Sequence, residues 1–111
     1  VTFVRACAVA DLPVGRAVSV ELDREWPFAV VNTAEGVFAI QDMCSHAEVP
    51  LSDGDIDGCT LECYMHGSRF DLRTGWPLEL PATQPVAVYP VRVDGDQIFI
   101  DPDNPIQTQE Q

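Results

Sequence analysis

Two short segments of this chain combine residue types that bind metals. Cys44-Ser45-His46 is a Cys-x-His hook and Cys63-Tyr64-Met65-His66 is a Cys-x-x-His hook, with sixteen residues between His46 and Cys63. Together they use both histidines of the chain and two of its four cysteines. Thiolate and imidazole are both metal ligands, so two such hooks can close round a metal centre if folding brings their loops together. A framework of two disulfides has no need for a histidine at a fixed offset from each cysteine. The other cysteines, Cys7 in an apolar N-terminal stretch and Cys59 in Gly58-Cys59-Thr60-Leu61, have no adjoining histidine and read as small buried residues of strands.

Strands must position these loops. Val1 to Ala8 is largely apolar, and Val18, Val20 and Leu22 alternate with polar residues, the period-two pattern of half-buried strands; Asp11 to Gly15 reads as the turn between them. Phe28 to Asn32 and Val37 to Gln41 form a hairpin through Thr33-Ala34-Glu35-Gly36, which presents Met43 onward as a loop. Asp53-Gly54-Asp55 and Asp57-Gly58 are turn pairs around a short strand at Ile56, and Thr60 to Glu62 leads into the second hook, so the hooks are expected as neighbouring loops on adjacent strands. Val86 to Val93 and Gln97 to Ile100 predict a last hairpin across Asp94-Gly95-Asp96. The expected fold is an all-β antiparallel sandwich or barrel in one domain, 1–101, with an inserted binding subdomain at about 42–76 and a loose tail at 102–111.

With 111 residues the chain suits a single hydrophobic core. Six arginines, no lysine and 18 acidic residues give a net charge of -12, which excludes the basic footprint that nucleic acid requires. Neither an export signal nor an apolar run long enough to span a membrane is evident, so a soluble, cytoplasmic protein is expected. Asp42, Glu48, Asp53, Asp55, Asp57 and Glu62 concentrate the acidity round the first hook, with no arginine between 42 and 62. That concentration suits a basic partner surface, and it equally suits plain solubility.

The hooks, together with Gly67-Ser68-Arg69-Phe70-Asp71 and Arg73-Thr74-Gly75, resemble the Rieske 2Fe-2S proteins. The pattern is similar above all to the small ferredoxins that feed electrons to non-haem iron (aromatic-ring) oxygenases. This resemblance implies Cys44 and Cys63 on one iron and His46 and His66 on the other. It also implies that the segment with Pro77, Pro81 and Pro85 forms a third loop over the cluster, with a plain connecting loop as the alternative. High-potential members carry an extra cysteine in each hook; here Ala47-Glu48-Val49 and Tyr64 stand there, so that cross-loop disulfide is absent. Tyr64 also replaces a proline often found in the second hook. Ser68 matches a serine that donates its hydroxyl to a cluster sulfide, whereas Phe70 replaces a tyrosine that reaches a ligand sulfur. Gly67 would let peptide N–H groups approach sulfide, and Met65 would shield the cluster. Trp76 and Arg69 read as core and solvated surface, with contact to a partner as the alternative.

With two thiolates and two neutral imidazoles an oxidised 2Fe-2S centre is neutral, while four thiolates would make it a dianion. A neutral centre accepts an electron more readily, which accounts for potentials of roughly -150 to +300 mV against about -400 mV for plant-type ferredoxins. One sulfur donor kept and one lost places this chain at a low-to-intermediate potential. Both histidines are spent as ligands and no nucleophile-base pair is present, so the expected role is a one-electron carrier and not an enzyme. Its expected partners are a flavin-dependent ferredoxin reductase and a terminal oxygenase, met through basic surfaces. The alternatives are a Rieske redox sensor or accessory protein of iron-sulfur assembly, and a structural zinc module; a Cys-x-His hook is unusual for zinc, and the Gly-Ser-x-Phe-Asp that follows has no zinc rationale.

Overall fold

The structure is a computed structural model that describes residues 3–24, 26–43, 50–63, 69–78 and 85–106. Among these the chain forms β1 (Val4–Ala8), β2 (Arg16–Val20), β3 (Phe28–Thr33), β4 (Gly36–Gln41), β5 (Asp55–Asp57), β6 (Thr60–Glu62), β7 (Arg69–Asp71), β8 (Val88–Tyr89), β9 (Val91–Asp94) and β10 (Gln97–Ile100), with 3₁₀ turns at Val9–Asp11 and Leu51–Asp53. The strands pair antiparallel in three sheets, β1-β10-β9, β2-β3-β4-β8 and β5-β6-β7. This is the all-β antiparallel architecture that the alternating patterns predict.

β3 reads as a continuous apolar run because both of its faces are buried. Phe28 and Val30 belong to clusters with Leu12, Ala39, Tyr89, Ile98 and Ile100, whereas Ala29 and Val31 belong to another with Ile40, Leu51, Leu61, Cys63, Phe70 and Leu72. Successive strand side chains point to opposite faces, so the four-stranded sheet is a middle layer between the other two. Each Phe, Leu or Ile fully buried in these clusters contributes about 1.5–3 kcal/mol. Phe28 meets Tyr89 edge-on at 4.9 Å between ring centroids, and the Tyr89 hydroxyl accepts the Trp26 Nε1–H at 3.2 Å.

β4 and β8 are paired neighbours through Ala39 with Tyr89 and Ile40 with Val88. The chain from Asp42 to Ala87 is therefore an excursion between two adjoining strands of the middle sheet, and it carries the whole β5-β6-β7 sheet. Strands of three residues are too short to be stable alone. They depend on Leu61, Phe70 and Leu72, which are buried against the middle layer.

Three local readings change. The expected strand 86–93 is divided at Pro90, which has no N–H for a ladder; β8 on one side pairs with β4, β9 on the other pairs with β10, and the chain changes sheet between them. Cys59 lies in the two-residue turn between β5 and β6 and not in a strand, although it is buried; Cys7 is in β1. Residues 102–106 are held in place where composition suggests a loose tail. The buried Asp101 carboxylate accepts the Asp103 N–H at 3.2 Å and the Asn104 Nδ2–H at 2.9 Å, the Ile106 N–H donates to Val88 O at 2.6 Å, and Arg24 grips Asp103 at 2.7 and 2.9 Å. An aspartate that organises its own turn explains the order. Residues 107–111 lie outside the described residues. Among the described residues no helix is long and apolar enough to cross a membrane.

Candidate metal centre

Of the four predicted ligands the structure describes Cys63, which follows β6 directly and is fully buried in the same cluster as Leu51, Leu61 and Phe70. Cys44, His46 and His66 lie outside the described residues, as do Met65, Gly67 and Ser68. Phe70 is fully buried in β7, opposite Leu61 on one side and Pro77 on the other.

The ends of both hooks are rooted in described strands and turns. The second hook spans the β6–β7 hairpin, closed by the Glu62 to Arg69 pair. The first leaves β4 at Gln41 and returns at Pro50 into the 3₁₀ turn Leu51–Asp53, whose Leu51 is wholly buried in the cluster that holds Cys63. Gly54 ties the two bases together: a Cβ there would lie 1.7 Å from the Glu62 carbonyl oxygen, so only glycine permits this approach of the first hook's return to the second hook's start.

The Pro-rich segment is anchored at the same end. Leu78 N–H donates to Arg69 O at 2.7 Å beside the second hook, and Gln41 N–H donates to Ala87 O at 2.8 Å beside the first. Gly75 supports this arrangement, since its φ of 80° and a Cβ position 2.0 Å from Val86 O exclude other residues. Residues 79–84 themselves are outside the described set, but their two ends fall at the bases of the two hooks. The described bases of the three segments thus adjoin one another.

One member of the presumed acidic patch proves to be internal. Asp42 is 3% exposed, and its carboxylate accepts the Ser52 N–H and the Ser52 hydroxyl, each at 2.7 Å. Sequence reading counts Asp42 as surface charge because its partner is ten residues away; an aspartate two residues ahead of a ligand hook is the signal that would have marked it. Asp53, Asp55 and Asp57 are exposed, with Asp57 paired to Arg69 at 3.3 Å, and Glu62 is half-buried. Trp76 is half-buried, with its Nε1 enclosed and, among the described residues, without a hydrogen-bond partner.

The two cysteines outside the hooks are sheltered. Burial pushes the Cys7 thiol up, with Asp11 adding to the shift, and burial pushes up that of Cys59 against the opposing effect of Arg73. Both are therefore poor sources of thiolate. A sheltered cysteine at the hook end of β6, two Cys/His hooks rooted on touching backbone, and a donor set of two thiolates and two imidazoles fit a 2Fe-2S group of the His-ligated kind.

Comparison with known proteins agrees. The Rieske [2Fe-2S] domain family matches residues 2–90. The 3-phenylpropionate/cinnamic acid dioxygenase ferredoxin subunit of Escherichia coli (strain K12) is 44% identical over 97 residues, covering 86% of this chain and 90% of its own. The ferredoxin of carbazole 1,9a-dioxygenase from Nocardioides aromaticivorans IC177 superposes with a TM-score of 0.86 at 37% identity, over 93% of this chain and 100% of that one. A complex of reduced oxygenase and oxidized ferredoxin in carbazole 1,9a-dioxygenase contains a chain matching with a TM-score of 0.83 at 32% identity, over 88% of this chain and 91% of that one. A zinc module is thereby set aside in favour of a 2Fe-2S electron-transfer protein, for the chain belongs to the Rieske [2Fe-2S] family.

Proposed function

We propose that this ferredoxin passes single electrons from a flavin-dependent reductase to a terminal non-haem iron oxygenase in the cytoplasm, with Cys44 and Cys63 on one iron and His46 and His66 on the other. The observation that carries the ligand assignment is the common anchorage of the two hooks: Cys63 and Leu51 share one buried cluster, and Gly54 abuts Glu62. Ser68 and Gly67 follow the last ligand and are the groups proposed to donate to sulfur; Met65 lies between ligands and shields, and Phe70 contributes packing without a donor. We take 1–101 as one Rieske domain with 42–76 as its cluster-binding part.

The carbazole dioxygenase complex, in which a similar ferredoxin is bound to an oxygenase, supports the choice of acceptor. Asp55 and Asp57 on β5, with Asp53 in the 3₁₀ turn before it, are exposed and suit a basic partner face. Such charges act mainly on association rate and are screened over about 8 Å at physiological salt. Mixing the purified protein with the flavin reductase and oxygenase of a dioxygenase system should support substrate turnover, at a rate that falls as salt rises. No turnover with any such pair would remove the assigned place in the electron path; turnover indifferent to ionic strength would leave the acidity as a solubility feature.

A further inference from the structure

Asp42 stands two residues ahead of Cys44, and its oxygens are engaged one by one: Oδ1 accepts the Ser52 N–H and Oδ2 the Ser52 hydroxyl, both at 2.7 Å. Its own N–H donates to Pro27 O at 3.0 Å. Ser52 belongs to the 3₁₀ turn Leu51–Asp53, whose N-cap residue, Pro50, provides no side-chain cap, so Asp42 takes up an N–H that the turn leaves without a partner. The two ends of the first hook are therefore joined by a pair of charge-assisted bonds. Leu51, beside Ser52, fastens the same turn into the core.

Resting on the ligand assignment above, we propose that Asp42 is a positioning residue of the metal centre, which closes the first hook behind Cys44 and His46 and whose buried negative charge holds the reduction potential down. A carboxylate that is 3% exposed is poorly screened, and a fixed negative charge opposes the arrival of an electron nearby. Two bonds to Ser52 offset part of that charge. The reduced form is therefore sensitive both to the charge and to the donors that face it.

The two variants Asp42→Asn and Ser52→Ala separate these effects. Asparagine keeps an acceptor for the Ser52 N–H, and the Ser52 hydroxyl can turn to accept from the amide, so the clamp persists while the charge is gone. The visible and EPR spectra should stay intact and the potential should rise, on the scale of a tenfold change in the reduced-to-oxidised ratio, or about 59 mV for one electron. Ser52→Ala removes a donor from the carboxylate, leaves its charge less offset, and should lower the potential by a smaller step. A purely structural role does not produce opposite signs. Cluster-loaded Asp42→Asn protein with an unchanged or lower potential overturns the proposal, and so does a raised or unchanged potential in Ser52→Ala, which decides the matter if the asparagine variant fails to fold. Absence of a Rieske spectrum in the parent chain would instead remove the ligand assignment, a separate failure.

Discussion

The middle sheet and the hook-bearing sheet are held together by different means. In the middle sheet β2, β3 and β4 pair along five and six residues, and the side chains of β3 serve two cores. Its turn glycines face open space: a Cβ at Gly15 or Gly36 would meet nothing within 4 Å. In the excursion between β4 and β8 the strands have three residues, and beside the buried Leu51, Leu61, Phe70 and Leu72 the contacts that order it include backbone against backbone at Gly54 and Gly75 and a carboxylate against Ser52. Side-chain volume builds the scaffold; close backbone approach and a polar clamp add ties at the bases of the hooks. Stability and redox chemistry should therefore respond to different substitutions.

The largest effect is expected at the proposed ligands. Replacing His46 or His66 by Cys exchanges a neutral ligand for an anionic one and disfavours reduction. The potential of a reassembled cluster should fall by up to several hundred millivolts towards the plant-type value of about -400 mV, while thermal unfolding of the scaffold changes little. Voltammetry of the purified variants measures this, and a cluster assembled at the parental potential would show that the histidine in question is not a ligand.

Two leucines on opposite sides of the middle sheet sharpen the comparison. Leu12 packs with Val30 and Ile98, Leu51 with the Cys63 cluster, and the two are 1% and 0% exposed. Either change to Ala should cost about 2–5 kcal/mol of unfolding free energy, measured by denaturant titration. Only Leu51→Ala should also disturb the EPR signal and hasten loss of iron, because Leu51 anchors the return of the first hook. Equal behaviour of the folded, iron-loaded forms would mean that the hooks are not held through that cluster.

Much of this division was legible in the residues, because both hooks are local patterns and strand alternation is a local period. The hairpin of β3 and β4 and the entry of β6 into the second hook follow from such signals. What escaped depends on partners distant in the chain. Asp42 looks like its acidic neighbours until Ser52 is placed beside it, and 102–106 looks loose until Asp101 is buried with Asn104 as its partner. Pro90 was visible as a residue, but the apolar run around it hid the change of sheet. Gly54 reads as an ordinary turn residue unless the Glu62 carbonyl is known to face it.

The smallest effects are expected at the cysteines outside the hooks, and there the comparison narrows to the two ends of one strand. Cys59 and Cys63 flank β6, and both belong to the same buried cluster. Burial alone therefore cannot tell the proposed ligand from the other thiol; position separates them. At about 3.3 Å per residue the two Cα atoms are on the order of 13 Å apart along the strand, so Cys59 is far beyond ligand reach of a centre bound by Cys63. Burial pushes its thiol up, and its charged neighbours are Arg73, Glu35 and Asp71, at the end away from the hook. Cys7, in β1, belongs to the core on the other face of the middle sheet. Cys7→Ser and Cys59→Ser should accordingly leave the visible and EPR spectra and the iron content as they are, with a modest loss of stability from placing a hydroxyl among apolar neighbours. Loss of the cluster signal in a folded Cys59→Ser protein would reverse the assignment of the two ends of β6.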